Sequence, residues 1–134
     1  MKEFRAAAAM GRRVQGRALV AKDGFSARYD LDRVKGVFSR PEHTLVGQSY
    51  VGRILVLDVA KGGVATAWML HEMAARGVTP AALVLNRVNP IMVQGAAFAD
   101  FTMLSGFDVD ITAAVPDGAL VEVDPPLLRI LATQ

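Results

Sequence analysis

The sequence predicts an α/β domain with an at least partly parallel sheet, and three stretches carry that reading. Ile54 to Val59 is apolar except for Asp58. Six such residues are too short for a typical helix and too continuous for a one-sided strand, so they predict a strand covered on both faces. After a turn containing Gly62 and Gly63, Thr66 to Met73 lacks Gly and Pro, is rich in helix formers, and runs on to an Arg76-Gly77 stop. Thr79-Pro80 then leads into a second buried run, Ala81 to Leu85, ending at Asn86-Arg87. Strand, helix and strand at this spacing form the unit of a parallel sheet.

Taken in order, residues 1–13 are charged and Ala-rich and read as an N-terminal extension, either frayed or a short helix, with the domain proper at 14–134. Val14 to Ala21 is a first strand. Lys22 to His43 turns polar, with Lys22-Asp23-Gly24, Asp30-Leu31-Asp32 and Arg40-Pro41-Glu42 as turn signals, so it reads as a long ordered loop with short extended pieces. Beyond the second buried strand, Asn89 is placed to cap a helix begun by Pro90, with Ile91, Val93, Ala97 and Phe98 on its apolar side. Phe101 to Leu104, Asp108 to Ala114 and Ala119 to Val123 read as further strands, and Leu127 to Leu131 closes the chain.

Composition narrows the function classes. A chain of 134 residues is one domain, and small for an enzyme with two substrate-gripping lobes, so it reads as a module. A mean hydropathy of +0.31 slightly favours a partner over part of the surface. The net charge is +2, with Lys2, Arg5, Arg12, Arg13 and Arg17 near the start, but no aromatic interleaving or nucleic-acid motif accompanies them, so no nucleic-acid partner is expected. With no cysteine the chain forms no disulfide and supplies no thiolate to a metal, which suits the cytoplasm. Ala6 to Met10 is too short for a signal-peptide core, and no window reaches membrane-spanning length.

The first turn of a helix leaves backbone N–H groups without internal partners, and glycines let a ligand approach them closely, so Lys61 to Thr66 is a candidate anion cradle. The segment is close in composition to a nucleotide-binding phosphate loop, yet Ala65 stands where the lysine before Thr66 is required. A plain strand-to-helix turn is therefore favoured over nucleotide binding. Asn86, Arg87 and Asn89 sit where a parallel strand ends, the usual ligand edge of open α/β sheets, and an arginine there can pair with a carboxylate or phosphate. The same residues can equally shape a turn and cap a helix. His71 and Glu72 point about 100° apart on a helix and cannot form a paired helical metal site. His43 beside Glu42 is a lone acid–base candidate, while Trp68, Met69 and Met73 suit core or subunit interface.

Gly47-Gln48-Ser49, Gly52-Arg53-Ile54-Leu55-Val56-Leu57, Pro80 to Arg87, and Asn89-Pro90-Ile91 with Gly95-Ala96 occur in the order and spacing of the aconitase X swivel-domain small subunit, which this sequence resembles over residues 14 to 124. The resemblance implies a swivelling β/β/α domain packed on a separate large subunit, the pair forming a hydro-lyase that dehydrates a small hydroxy acid. Family activities include dehydration of cis-3-hydroxy-L-proline and of mevalonate 5-phosphate. It further implies that an iron–sulfur cluster or metal lies in the large subunit and none in this chain. The family loop after the central strand is of Arg-Gly-Ser-Ser-Ser type and provides a serine base; here Lys61-Gly62-Gly63-Val64-Ala65 stands instead. Three readings follow: Thr66 substitutes, Lys61 becomes the base, or the chemistry is altered or lost. Lys61 and Thr66 are thus the catalytic candidates, with Gly62, Gly63, Asn86, Arg87 and Asn89 binding a small anionic substrate. The alternative is a silent anion-binding or regulatory module.

Overall fold

A computed structural model describes residues 2–60, 64–88, 93, 94, 97 and 100–133. Ten strands are present among them: β1 (Lys2–Arg5), β2 (Ala8–Met10), β3 (Val14–Val20), β4 (Leu31–Asp32), β5 (Val37–Phe38), β6 (Ile54–Val59), β7 (Ala82–Arg87), β8 (Met103–Ser105), β9 (Leu120–Asp124) and β10 (Leu127–Ala132). Three helices accompany them, α1 (Ala27–Asp30), α2 (Val64–Arg76) and α3 (Ile111–Ala114). Eight strands share one sheet, ordered β1-β10-β9-β3-β6-β7-β8-β2, and β4 pairs with β5 alone.

β3 is the joint of this sheet. Its first half, Val14–Arg17, pairs antiparallel with β9, and its second half, Ala18–Val20, pairs parallel with β6. β6, β7 and β8 continue parallel, whereas β10 and β1 continue antiparallel. The outermost strands, β1 and β2, are joined only by Ala6 and Ala7, a link that reaches about 10 Å. Laid flat, eight strands would put those edges about 34 Å apart. The sheet must therefore fold over itself at β3, stacking its antiparallel half on its parallel half.

Side-chain alternation confirms the stacking. Ala18, Ile54, Val56, Ala82, Val84 and Leu104 of the parallel half meet Val121, Val123, Leu128 and Ile130 of the antiparallel half, with Ala6 and Ile111 of α3 beside them. The opposite face of the parallel half, Leu19, Leu55, Leu57, Leu83, Leu85 and Met103, packs against Leu70 and Met73 of α2 and against Phe25, Phe38, Leu45 and Tyr50. The result is three layers, β/β/α, and it accounts for the unbroken apolar runs of β6 and β7: both faces are covered.

Several expectations are met closely. β6 spans the predicted residues, and α2 ends where Gly77 adopts φ +70° while the Val78 N–H donates back to the Met73 carbonyl at 3.1 Å. Others are corrected. Residues 2–13 hold neither a frayed tail nor a short helix; they supply both outer strands of the main sheet. Gly11 (φ +92°) turns the chain onto Thr102, whose Cα leaves no room for a Cβ there. Asp108 to Ala114 is not a strand: Asp110 accepts the Thr112 N–H and caps α3. Val93, Gln94 and Ala97 are helical, in line with the helix expected after Asn89, while Asn89, Pro90, Ile91 and Phe98 lie outside the described residues. Of the residues expected in core or subunit interface, Met73 is buried in the core and Trp68 is 68% exposed on the surface.

The long loop after β3 is a structured strap. Asp30, almost fully buried, accepts the Ser26 N–H (2.9 Å) and the Arg40 guanidinium (2.6 Å). His43 is buried and stacked on Phe38. The Leu45 N–H can only donate, so Nδ1 accepts it at 3.1 Å and the ring proton sits on Nε2, donated to the Gly24 carbonyl at 3.2 Å. His43 is thereby a structural post rather than an exposed acid–base group.

On the outer face of the antiparallel half, Glu122 is nearly buried and accepts from Gln15 and Arg13 on one oxygen and from Arg129 on the other. The Gln15 hydrogen bond, then those from Arg129 and Arg13, hold its carboxyl below the ordinary glutamate value of 4.5. A depressed folded-state pKa contributes stability that is present above the unfolded value and lost as pH falls through the folded one. Thermal melts are therefore expected to fall as pH drops below the ordinary glutamate value of 4.5, and Glu122→Gln to be less stable near neutrality with a shallower acid limb. An acid limb identical to wild type would show that Glu122 takes no part in it.

Candidate functional site

Three parallel strands deliver their C-terminal ends to one edge of the parallel half, and α2 starts there. Along β6, Leu57 faces α2 and Asp58 faces the opposite side, towards α3. The β6 end is gripped from both flanks: the Asp58 N–H donates to the Asp23 carbonyl (3.0 Å), the Phe25 N–H to the Val59 carbonyl (2.8 Å), and the Ala60 N–H to the Arg87 carbonyl (3.2 Å). α2 begins at Val64.

The first turn of α2 carries no acidic residue, so the partial positive charge of the N–H groups that lack intrahelical partners there is not neutralised by a carboxylate of that turn. Thr66 lies in that turn. Lys61, Gly62, Gly63 and Asn89 fall outside the described residues. Arg87 ends β7 in register with Val59 and its side chain is exposed, at the same strand edge as the start of α2.

Asn86 is placed differently from the ligand-facing role expected of it. Its Nδ2 donates to Asp58 Oδ1 and to Asp110 Oδ1, both at 2.9 Å, and its Oδ1 accepts the Ile111 N–H at 2.9 Å. Both amide hydrogens are thus engaged within the domain. Asp110 also accepts the Thr112 hydroxyl at 2.7 Å. That bond first, and the Asn86 amide second, hold the Asp110 carboxyl below its ordinary 3.8. Asp58 was visible in the sequence as the one polar residue of an apolar run, but its partners come from 28 residues onward and, through Asn86, from α3, which no local pattern reveals.

This chain has no cysteine, and among the described residues no three His, Asp or Glu side chains converge to hold a metal ion. The residues described do not fit a cluster or a metal centre. Among the described residues no helix is long and apolar enough to cross a membrane.

Comparison with known proteins agrees with this architecture. The profile of the Aconitase X swivel domain family matches residues 3–130. The phosphomevalonate dehydratase small subunit of Methanopyrus kandleri is 30% identical over 112 residues, covering 84% of this chain and 83% of its own. That of Methanothrix thermoacetophila is 31% identical over 110 residues, covering 82% and 80%. In three dimensions the chain superimposes on the crystal structure of Thermococcus kodakaraensis aconitase X in its holo form with a TM-score of 0.89, 24% identity, and 98% and 99% coverage. The solution structure of a UPF0107 protein gives a TM-score of 0.86 at 28% identity, covering 97% and 99%. With a family match across nearly its whole length, and relatives that are small subunits of a larger assembly, this chain belongs to the aconitase X swivel-domain family.

Proposed function

We propose that the chain is the small, swivel subunit of a two-part hydro-lyase that removes water from a small anionic hydroxy acid. The observation that carries the reading is its alignment, over four-fifths of both chains, with small subunits named for phosphomevalonate dehydratase. The start of α2 supports it physically. A helix start that follows a glycine pair in the sequence and has no carboxylate in its first turn suits a carboxylate or phosphate, and Arg87 adds a cation at the same edge. In this reading the large subunit holds the iron–sulfur cluster or metal, since this chain has no cysteine to ligate a cluster. Closing the two lobes over the substrate excludes water and completes a site that neither has alone.

In this reading the backbone of Gly62 and Gly63 seats the anion, and Lys61 or Thr66 stands in for the family's serine as proton acceptor. A lysine desolvated in a closed cleft has its pKa lowered towards neutrality and can take a proton. Co-expression with the large subunit tests the partnership: the two chains are expected to purify together with an iron chromophore. Recovery of this chain only as a homo-oligomer that binds anions without turnover would favour the silent module instead.

A further inference from the structure

We infer that Asn86 is a positioning residue, whose carboxamide fixes the end of β6 against α3; the inference rests on the dehydratase reading. Three bonds of 2.9 Å run from one planar group to three places: Asp58 on β6, Asp110 at the cap of α3, and the Ile111 N–H. Asp58 lies three residues before Lys61, and its own N–H is already tied to Asp23 on the other flank. The β6 end is therefore held by Asp23 and Phe25 on one flank and by the Ala60–Arg87 backbone bond on the other, and Asn86 is the side chain that ties it to α3.

Only a carboxamide meets this pattern. Two carboxylates require two N–H donors, and the backbone N–H requires an acceptor, all from one short side chain. Aspartate at 86 keeps the shape but removes both donors and sets a third carboxylate beside Asp58 and Asp110, where like charges repel. A positioning group of this kind acts on rate through geometry, because a displacement of about 1 Å at a catalytic turn costs about 100-fold.

The reconstituted enzyme tests it with three chains: wild type, Asn86→Asp, and Asn86→Asp combined with Asp58→Asn. The double variant restores one amide–carboxylate pair in the reverse sense. Asn86→Asp is expected to lose about 100-fold in turnover, and the double variant to recover at least tenfold of it. A bulk structural role would not give rescue by exchange. Full activity in Asn86→Asp, or a double variant no better than the single, overturns the inference. A silent wild-type complex instead overturns the dehydratase reading. In that event amide spectra of the full chains decide the positioning role: Asn86→Asp should shift Asp58 to Ala60 and Ile111 while the β9–β10 amides stay in place, and the double variant should return them. Unmoved Asp58 to Ala60 amides in Asn86→Asp would overturn it.

Discussion

Replacing Lys61 by alanine in the reconstituted enzyme is expected to lower kcat/KM by about 100- to 1,000-fold, the scale on which an enzyme loses a charge-stabilising or proton-transferring group. Lys61 precedes Gly62 and Gly63 in the sequence just after β6, and the serine that the proposed reading requires there has no aligned hydroxyl. Its amino group has two roles open to it. Acting as base, the neutral amine gives a rate that falls as pH drops and the amine is protonated, and a variant whose loss lies in kcat. Acting only as a counter-charge to the substrate anion, it gives a loss lying mainly in KM. Thr66→Ala, measured beside it, decides between the two candidates: a larger loss there would move the base to the first turn of α2. Loss in neither variant would remove the turn from the chemistry and favour the silent module.

Ala6→Asp is expected to destabilise the isolated chain by about 3 kcal/mol or more, because it buries a carboxylate without a partner in the space between the two sheet halves. Ala6 is 5% exposed and joins the two outer strands; its N–H donates to the Pro126 carbonyl (2.9 Å) and that of Ala7 to the Gly106 carbonyl (2.7 Å). In a domain of this size such a loss lowers Tm by about 10 °C. Were residues 1–13 a detached extension, the same substitution would leave the melt unchanged, so thermal denaturation separates the two descriptions.

The contrast at that segment shows what in this fold was legible from residues alone. β6, β7 and α2 could be read because their signals are local: burial on both faces leaves unbroken apolar runs, and the glycine at 77 marks the helix end by its own backbone conformation. The first ten residues could not. Ala-rich sequence favours helix by local propensity, but their strand state is imposed by distant partners, Lys2 opposite Ile130 and Ala8 opposite Ser105. Asp108 to Ala114 misled for a related reason: a four-residue helix is too short to show a periodicity, and only the Asp110 cap announces it. At the candidate site, the strand end and the helix start were foreseeable. The engagement of Asn86 was not, because an asparagine that turns a chain and one that bridges two carboxylates look the same in sequence.

The central claim is that this chain is half of an enzyme. Its most direct test is the dehydration rate of mevalonate 5-phosphate, and in parallel of cis-3-hydroxy-L-proline, with this chain alone, the large subunit alone, and the two mixed. Turnover of one of these substrates only in the mixture is the predicted result. Turnover by this chain alone, or silence of the loaded mixture on both, would contradict it.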